Sequence, residues 1–536
     1  MAHSGHQYIT NFFRLFNAER FFEAVSEASG GHNLYLFIAK STPWADEGLY
    51  PDVDASIENI SFDLWRSMLG AVRIYPADVS HVITRVDWNS GTVYPEYDST
   101  SNTSSEYNFF VQSDNKVYKC ISNNKGAQST VQPTQNYYDQ LEGNITDRYL
   151  WKYMYDFQDG LDSQKFLTAE FMPVRTVNTG ISGSATTSLG RQANVQLSAA
   201  NGAIQHVKIN ASGNNHVYLL ANITNITSDD TVVNLFINGS NISKAYTSTN
   251  ANTATISLDS AFYVGASGFI PNGNSQIATI TAYASDTSKF TFAKNSGIDT
   301  NKINIGDALH IAPQLVFNGD GTGAVAYANV STVDGSIERI NMIETGSLYT
   351  TANVTITANS VGSGANLTPM ISPPGGHGKD AIKELGGTSV IVNAEFEPGT
   401  IISDTTTYRV IGLLLDPLNA NGSVATGEIY RTTSVYGYSG LSGGPFQADE
   451  TITSTAGGSA VIVEANSTVL EVTEVDGLFP VSNTITGSTS GAQATIANTT
   501  GSELNYFSGS FIYVENKQFT QRDPAQTDDF KLVVRF

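Results

Sequence analysis

The 536-residue chain has 50 acidic and 28 basic side chains, and its formal net charge of −22 disfavours direct binding to nucleic acid or to anionic membrane surfaces. Charged residues make up only 15% of the chain, so much of its surface must consist of Asn, Ser, Thr and Gly. The single cysteine, Cys120, excludes an intrachain disulfide, and its alternating apolar flanks predict a small buried residue in a strand.

The first residues predict a helix followed by a buried strand. Apolar residues recur at the spacing of one docked helix face: Ile9, Phe12, Phe13, Phe16, Phe21, Phe22 and Val25. Gly30 and Gly31 follow this pattern and end the helix. Residues 34–39 then form an uninterrupted apolar run, which predicts a buried strand terminated by Pro43.

A second, short helix is predicted before the next strands. Ser61 is its predicted N-cap, and the helix ends at Gly70. The residues on one side of this helix are Phe62, Trp65 and Leu69. Segments 72–74 and 109–121 predict further strands because β-branched and aromatic residues alternate with polar ones.

A region rich in Thr, Ser, Asn, Ala and Gly extends from about residue 177 to residue 369 and contains an internal repeat. Residues 201–209 match residues 334–342, and the two copies reach glycines at Gly213 and Gly346. A turn dipeptide followed by alternating Ile and Val is typical of a hairpin. The two copies therefore predict duplicated small β modules.

A second repeat lies nearer the C-terminus. Residues 446–453 match residues 479–486, and both copies have the composition of strands and turns. Residues 379–418 between the two repeat regions recover charged and apolar character, and two strands are predicted within 511–536.

These patterns predict an α+β protein that is predominantly antiparallel β. Its core is discontinuous, with a few N-terminal helices and two β-rich insertions that carry the internal repeats. The predicted segments are the N-terminal part of the core at 1–178, an inserted repeat region at 179–375, a return to the core at 376–436, inserted tandem repeats at 437–503 and core strands at 504–536.

Three motifs suggest chemistry, and their contexts favour turns instead. Residues 440–444 fit G-x-S-x-G, but a strand-like repeat follows where a nucleophile elbow needs a helix. The loop from Asn318 to Thr322 has the oxygen-rich composition of a calcium loop, but no glutamate follows in register, and a turn is the preferred interpretation. Residues 373–380 resemble half of a phosphate loop and predict a rigid hinge. The sequence therefore predicts no catalytic site, no metal and no cofactor.

Groups of aromatic and apolar residues form a series of landmarks at residues 41–44, 65–72, 85–88, 94–95, 117–121, 149–153, 408–418 and 508–516. In this order they resemble the baseplate wedge subunit of T-even-type contractile-tailed bacteriophages, the product of their gene eight. The chain departs from that family in being much longer. The extra length falls at about 180–375 and 437–503, which are the two repeat regions.

The resemblance implies a non-enzymatic structural part of the virion, located in the tail baseplate and assembled in the host cytoplasm. Its expected partners are a second copy of the chain, other baseplate wedge proteins and tail fibres, and it is expected to help hold the baseplate before sheath contraction. Aromatic residues dominate interface hot spots, so the candidate interface anchors are Trp44, Trp88 and Tyr94. The candidate core landmarks are Trp65, Trp151 and Tyr513.

Two other functions remain open from the sequence. The Thr- and Asn-rich inserts are compatible with an adhesion or fibre-attachment module that binds host surface glycans. A polysaccharide-degrading enzyme is disfavoured, because glycoside hydrolysis needs two carboxylates held in one cleft and the inserts are poor in Asp and Glu.

Overall fold

A computed structural model describes residues 10–26, 31–53, 57–100, 109–136, 141–143, 146–157, 161–177, 183–184, 186–214, 216, 219–237, 243–244, 267–270, 276–284, 286–294, 298–311, 313–331, 334–356 and 362–536. The chain divides into two units. Unit 1 consists of Met1–Thr84, Asp159–Arg175 and Gly386–Phe536, and unit 2 of Arg85–Gln158 and Thr176–Leu385. Both are built mainly from antiparallel strands, which confirms the predicted fold class.

The described helices are α1 (Asn11–Ser26), α2 (Ile57–Ser67), α3 (Leu161–Phe166), α4 (Ser188–Ser198) and α5 (Ala381–Leu385). The first strands are β1 (Leu34–Ala39), β2 (Met68–Ile74), β3 (Val79–Thr84), β4 (Phe110–Ser113), β5 (Lys116–Ser122), β6 (Glu142–Gly143), β7 (Leu150–Asp156) and β8 (Phe171–Val174). The strands of the long insert are β9 (Ile204–Asn214), β10 (Leu219–Ser228), β11 (Val232–Ile237), β12 (Ser243–Lys244), β13 (Ser267–Ile270), β14 (Gln276–Ala284), β15 (Lys289–Ala293), β16 (Ala308–Ile311), β17 (Gln314–Gly319), β18 (Thr322–Val330), β19 (Ile337–Ser347), β20 (Ala352–Ile356) and β21 (Ser363–Ile371). The remaining strands are β22 (Ser389–Phe396), β23 (Thr407–Leu415), β24 (Ile429–Arg431), β25 (Ser434–Ser442), β26 (Thr451–Ser454), β27 (Ser459–Ala465), β28 (Val469–Asp476), β29 (Thr484–Gly487), β30 (Gln493–Thr500), β31 (Ser510–Gln521) and β32 (Asp528–Arg535).

The unit boundaries differ from the five predicted segments. Residues 85–158 belong with the long insert in unit 2, whereas the prediction placed them with the N-terminal core. The reason is packing, since α4 lies against β7 and the pair shares the ion pair between Arg191 and Asp156. Composition changes at residue 177, but composition does not show which helix packs on which sheet. It therefore could not predict the boundary between the units.

Strand β1 lies at the centre of unit 1. It is hydrogen-bonded between β2 and β23 in a sheet of order β24-β2-β1-β23-β31, and all six of its residues are buried. Leu34, Leu36 and Ile38 face a second sheet of order β32-β22-β3-β8, and Tyr35 and Phe37 face α2 on the other side. Burial on both faces explains why the strand is an unbroken apolar run, and the prediction of a buried strand at 34–39 is confirmed.

Only the C-terminal half of the face predicted for helix α1 packs on unit 1. Val25 is buried and Phe21 and Phe22 pack against the core as predicted, and Leu15 and Ala18 are buried beside them. The predicted inner residues Phe12, Phe13 and Phe16 are instead 72%, 52% and 42% exposed. The helix is apolar on both sides, so periodicity could not decide which side faces the core. Ile9 lies outside the described residues.

Helix α2 also corrects the sequence prediction. Ser61 lies inside the helix, which begins at Ile57, and is therefore not an N-cap. The helix ends at Ser67 because the next residues pair with β1, with Met68 opposite Ala39. The predicted strands at 72–74 and 109–121 are confirmed as β2, β4 and β5, and Cys120 is buried in β5 as predicted.

The second repeat region folds into a closed six-stranded barrel in unit 1. Its strand order is β25-β28-β27-β26-β29-β30. Exchange of β25, β26 and β27 with β28, β29 and β30 leaves this order of pairings unchanged, so the two copies are related by an approximate two-fold axis. Side chains fill the interior, including Tyr436, Phe446, Ile452, Leu470 and Ile485.

Unit 2 contains a four-stranded sheet of order β4-β5-β7-β6, a seven-stranded sheet that includes β10 and β11, and two sheets formed by the first repeat. Strand β19 of the second copy pairs antiparallel with the preceding strand β18, which confirms a hairpin there. Strand β9 of the first copy pairs instead with the distant β21. The two copies therefore lie in separate sheets of one shared core rather than in self-contained modules.

Reciprocal contacts join the two copies of the first repeat. The backbone N–H of Tyr349, in the second copy, donates to the carbonyl of Gly202 at 3.1 Å, and the N–H of His216, in the first copy, donates to the carbonyl of Gly335 at 2.9 Å. These four residues occupy matching positions, so the arrangement has approximate two-fold symmetry. Both glycines have positive φ values, 64° and 68°, which favour glycine at each turn.

Candidate functional site

Trp44 is a half-buried residue on the edge of unit 1. Its indole N–H donates to the carbonyl of Lys517 at 3.0 Å, at the edge strand β31. The buried Arg409 fixes the same segment, because its guanidinium donates to Glu47 at 2.6 Å and to the carbonyl of Ser41. Trp44 is thus held in one position with part of its side chain exposed.

The other two candidate anchors lie in unit 2. Trp88 is half-buried, and its indole N–H donates to the hydroxyl of Ser129 at 3.0 Å. Tyr94 is only 3% exposed, its hydroxyl accepts from the N–H of Asn89, and its ring packs edge-on against Trp151. The ring of Tyr94 is therefore occupied by packing within the unit, whereas Trp44 and Trp88 keep exposed surface.

The three candidate core landmarks differ in burial. Trp65 and Trp151 are each 2% exposed. Trp65 packs against Tyr506 and Phe511, with ring centroids 6.0 and 5.6 Å away. Tyr513 is half-buried against the core of unit 1, and its hydroxyl donates to Glu515 at 2.8 Å.

A pair of exposed phenylalanines in unit 1 was not singled out from the sequence. Phe62 and Phe507 stack with centroids 5.5 Å apart, although they are 53% and 57% exposed. The guanidinium of Arg66 lies 5.5 Å from the Phe62 ring. Phe507 has a φ of 64°, a conformation that is unfavourable for an aromatic residue. The sequence analysis placed Phe62 on one side of the helix with Trp65, but no local pattern predicts that its ring stacks on Phe507, which lies far along the chain.

The outer face of α1 forms a second exposed aromatic surface in unit 1. Phe12, Phe13 and Phe16 lie on it, and the Arg20 guanidinium lies 5.1 Å from the Phe16 ring. We call these four residues the α1 surface. Exposed aromatic rings beside an arginine have the composition of protein interface hot spots.

Unit 2 contains a buried charged cluster on β5 and the residues around α5. Lys119 Nζ lies 3.0 Å from Glu384 Oε2 and 2.9 Å from His377 Nδ1. The side chains of Lys119, Glu384 and His377 are 0%, 4% and 1% exposed. The Gly378 N–H donates to the other carboxylate oxygen, Oε1, at 2.7 Å, and the Tyr97 ring lies 4.0 Å from the ammonium. Local sequence patterns could not reveal this cluster, because Lys119 and Glu384 lie far apart along the chain.

Burial and charge set the protonation states in this cluster. Burial, together with the neighbouring Lys119 ammonium, lowers the pKa of His377 to about 4, so the imidazole is neutral near pH 7. Burial alone would raise the pKa of Glu384, but Lys119 and His377 hold it below its usual value. Lys119 and Glu384 are therefore paired charges in a site without solvent exposure.

A second buried cluster joins β7 to α4. The Asp156 carboxylate accepts from Arg191 Nε at 2.7 Å, from the Tyr153 hydroxyl at 2.6 Å and from the Ser188 hydroxyl. Its acceptor positions are occupied by groups of the same unit, which indicates a structural role.

Two of the three sequence motifs lie in turns, whereas the G-x-S-x-G motif, predicted as a turn, begins within strand β25. Asp320, in the loop considered for calcium, accepts from the N–H groups of Thr350 and Thr351 at 2.9 and 3.0 Å and from the Thr350 hydroxyl. The carboxylate therefore ties two turns of the same unit together. Ser442 of G-x-S-x-G is the exposed last residue of β25. In the Gly-rich loop, Gly375, Gly376 and Gly378 have the positive φ values allowed by their lack of a side chain, and the loop places His377 in the buried cluster.

No three His, Cys, Asp or Glu side chains come together as a metal-binding group within the part of the chain that the structure describes. Among the same residues, no helix is both long and apolar enough to cross a membrane.

No protein-family model matches the chain, and a search of curated proteins found no match.

Proposed function

We propose that this chain is a non-enzymatic structural subunit of a contractile-phage baseplate wedge, which binds neighbouring tail proteins through surfaces of unit 1. The observation that carries the proposal is that α1 is apolar on two faces. One face packs on the core of its own unit, and the α1 surface is left for another protein. The landmarks shared with the wedge family supply the identity of the assembly.

The distribution of reactive groups supports a role without turnover. Lys119, Glu384 and His377 are buried and bonded to one another, and Asp156 and Arg191 are paired in the same way. Lys119, Glu384, His377 and Asp156 are shielded from a substrate in solution, so their geometry suits holding a fold together. A subunit of this kind works by switching between alternative interfaces, and repetition around a ring turns modest contacts into high avidity.

The α1 surface can be tested by assembly. The double variant Phe12→Ser and Phe16→Ser removes two exposed rings, each worth about 1.5–3 kcal/mol when fully buried. We expect affinity for the neighbouring wedge proteins to fall about 100-fold or more, since 1.4 kcal/mol corresponds to a factor of ten. The measurement is incorporation of the tagged full chain into baseplates in infected cells, with thermal unfolding of the purified variants to show that the fold is kept.

A matched control is available in the same unit. Leu478 and Val481 are 67% and 52% exposed on the barrel, and their double substitution by serine removes similar exposed apolar area. The control is expected to assemble like the unmodified chain. Normal incorporation of the α1 variant would contradict the role of the α1 surface.

The location and the expected homodimer need separate measurements. Antibodies against residues 180–375 should label the baseplate of intact virions, and light scattering of the purified chain should give the mass of a dimer. Label on fibres or capsid would contradict the wedge assignment.

A second candidate function, adhesion to host surface glycans, rests on a polar face in unit 2. Across β10, β11 and β15, the Asn234 side chain accepts from the Thr291 hydroxyl at 2.8 Å and donates to the Thr227 hydroxyl at 3.5 Å. An ordered row of hydroxyl and amide groups matches the hydrogen-bonding groups of sugars. Glycan-array binding by the full chain that is lost on Asn234→Ala and Thr291→Ala would favour this function, and normal assembly of that variant would separate it from the wedge role.

A further inference from the structure

The Lys119 and Glu384 pair has features that distinguish it from the other ion pairs of the described residues. In the other lysine–carboxylate pairs, one or both side chains are exposed to solvent. Lys383 with Asp380, for example, is 52% and 27% exposed. Lys119 and Glu384 are 0% and 4% exposed, with the amine nitrogen 3.0 Å from a carboxylate oxygen and the neutral imidazole of His377 2.9 Å from the same nitrogen. An amine, a carboxyl group and a proton carrier are thus enclosed together.

We propose that Lys119 and Glu384 become joined by an intramolecular amide bond. Lys119 Nζ bonds to the carboxyl carbon of Glu384, the bond from that carbon to Oε2 breaks, and one water molecule leaves. The reaction converts an ammonium and a carboxylate into a neutral amide plus water, so charge balances and nothing is oxidised or reduced. The chain modifies itself once and needs no co-reactant.

His377 is placed to move the proton. Its Nδ1 accepts a proton from Lys119 Nζ, which leaves a nucleophilic amine. The same nitrogen lies 3.8 Å from Glu384 Oε2, so the imidazolium can pass this proton to Oε2. After the amine has attacked, His377 carries a second proton from Nζ to Oε2, and this oxygen departs as water. One side chain therefore serves as base and as acid.

Backbone donors stabilise the charge that develops on the other oxygen. The N–H groups of Gly378 and Asp380 point at Glu384 Oε1 from 2.7 and 3.4 Å. When the amine attacks, negative charge grows on Oε1, and these fixed donors act as an oxyanion hole. The positive φ of Gly378 orients the first of them, and a side chain there would overlap Val195.

Proximity and burial both favour the amide. Groups held in contact by a fold react with effective concentrations far above those reached in solution. Burial of two charges carries a desolvation cost that a neutral amide removes, and exclusion of water disfavours hydrolysis. The buried Arg191–Asp156 pair has no equivalent reaction, because a guanidinium stays protonated and is a poor nucleophile.

The bond would close a covalent loop from β5 to α5 that contains the whole Thr- and Asn-rich insert. Unit 2 could then not unravel at either end of that insert. Such a link suits a virion part that must survive mechanical load, and it stands whether or not the wedge assignment is correct.

Mass spectrometry of the denatured full-length protein is the deciding experiment. The expected intact mass is lower than the sequence mass by one water molecule. Tryptic digestion should yield a branched peptide that joins 117–125 to 384–409, or to 380–409 where the branch blocks cleavage after Lys383. Separate peptides 117–119, 120–125 and 384–409 with an unmodified intact mass would overturn the proposal. Localisation is essential, because the Asp-Gly sequences at 159–160, 320–321, 334–335 and 476–477 can also lose water.

Two variants complete the test. Lys119→Arg keeps a cation beside Glu384 but removes the amine, so its mass should match its sequence and its thermal midpoint should fall. His377→Gln keeps a polar side chain but cannot carry the proton, so the branched peptide should fall to a minor fraction while circular dichroism stays unchanged. Equal yields of the branched peptide in His377→Gln and the unmodified chain would overturn the role of His377, and loss of the same water in Lys119→Arg would overturn the bond itself.

Discussion

The two repeat regions differ in how their two copies pair, although in each region both copies contribute to one hydrophobic core. In the barrel, the copies at 446–453 and 479–486 follow one another closely, and their strands pair directly, as β26 does with β29. In unit 2, the copies at 201–209 and 334–342 are far apart, and their strands lie in different sheets of one core. Short links let two copies close a single sheet, whereas a long intervening segment leaves each copy to pair with other strands.

The comparison teaches that an internal repeat predicts which segments are equivalent but not how they pair. Both regions have approximate two-fold symmetry, and in both the copies share one hydrophobic core. The symmetry operates through backbone pairing in the barrel and through reciprocal loop contacts in unit 2.

Truncation of matched core isoleucines should have the largest effects. Ile452 and Ile485 of the barrel, and Ile204 and Ile337 of unit 2, are all 0% exposed. Each Ile→Ala change is expected to cost about 2–5 kcal/mol of unfolding free energy. Because the two copies share a core, each pair of changes should be non-additive by about 0.5–3 kcal/mol, and more strongly in the barrel. Urea unfolding of the single and double variants measures this, and additive losses in the barrel would mean that its copies have independent cores.

Substitution of Gly346 should be the next most costly. This residue has a φ of 61°, and a side chain there would overlap the backbone of Thr322 and Ala324. Gly346→Ala is expected to cost about 3 kcal/mol, of which about 1–2 kcal/mol comes from the left-handed backbone. Gly457 of the barrel is the control, because it has a φ of 86° with nothing within 4 Å of the added carbon. If chemical unfolding gave equal losses for the two, close approach of β18 to Gly346 would not explain why a glycine is needed there.

The sequence predicted the strands of unit 1 well because their local pattern and their burial agree. Residues 34–39 are apolar throughout and are buried on both faces. Helix α1 was predicted, but only the C-terminal half of its inner face was, since Phe12 and Phe16 look as suitable for a core as Leu15 does. Local patterns report what can be buried, and tertiary structure decides what is buried.

The candidate site could be predicted only in part. Trp44 and Trp88 keep exposed surface, as an anchor requires, while Tyr94 lies in the core. The Phe62–Phe507 stack and the Lys119–Glu384 pair join residues from distant parts of the chain, and no spacing rule links such residues. Their chemistry exists only after the fold has brought them together.

Acid should weaken unit 2 through His206, whose side chain is 13% exposed on β9. Burial and then Lys208 lower the pKa of His206 from 6.5 to about 4. The unfolded chain therefore takes up a proton at a higher pH than the folded chain, so this stability is present above pH 6.5 and is lost as the pH falls towards 4. The unmodified chain loses unfolding free energy as the pH falls from 6.5 to 4, and His206→Gln should reduce this loss by about 2 kcal/mol, after a discount for partial exposure.

Hydrogen exchange can localise the effect, because residues 434–500 of the barrel contain no histidine. The difference in protection between His206→Gln and the unmodified chain should appear in β9 and β21 and be absent from the barrel. An equal difference in both regions would contradict the assignment to His206.

The smallest effects should come from the carboxylates that tie turns in each repeat region. Glu450 of the barrel, 4% exposed, accepts from the N–H groups of Gln447, Thr489 and Ser490 and from the Ser490 hydroxyl. Burial alone would raise the pKa of Glu450, but these donors hold it below its usual value, so the carboxylate form is the one that binds. Glu450→Gln should cost about 1–2 kcal/mol, since an amide places a donor against these N–H groups.

Asp320 of unit 2 holds a similar turn in full contact with water, so Asp320→Asn should cost less. Thermal unfolding at pH 7 compares the two variants. A greater loss for Asp320→Asn would contradict the expected order. It would mean that the exposed turn of unit 2 depends more on its carboxylate than the buried turn of the barrel does.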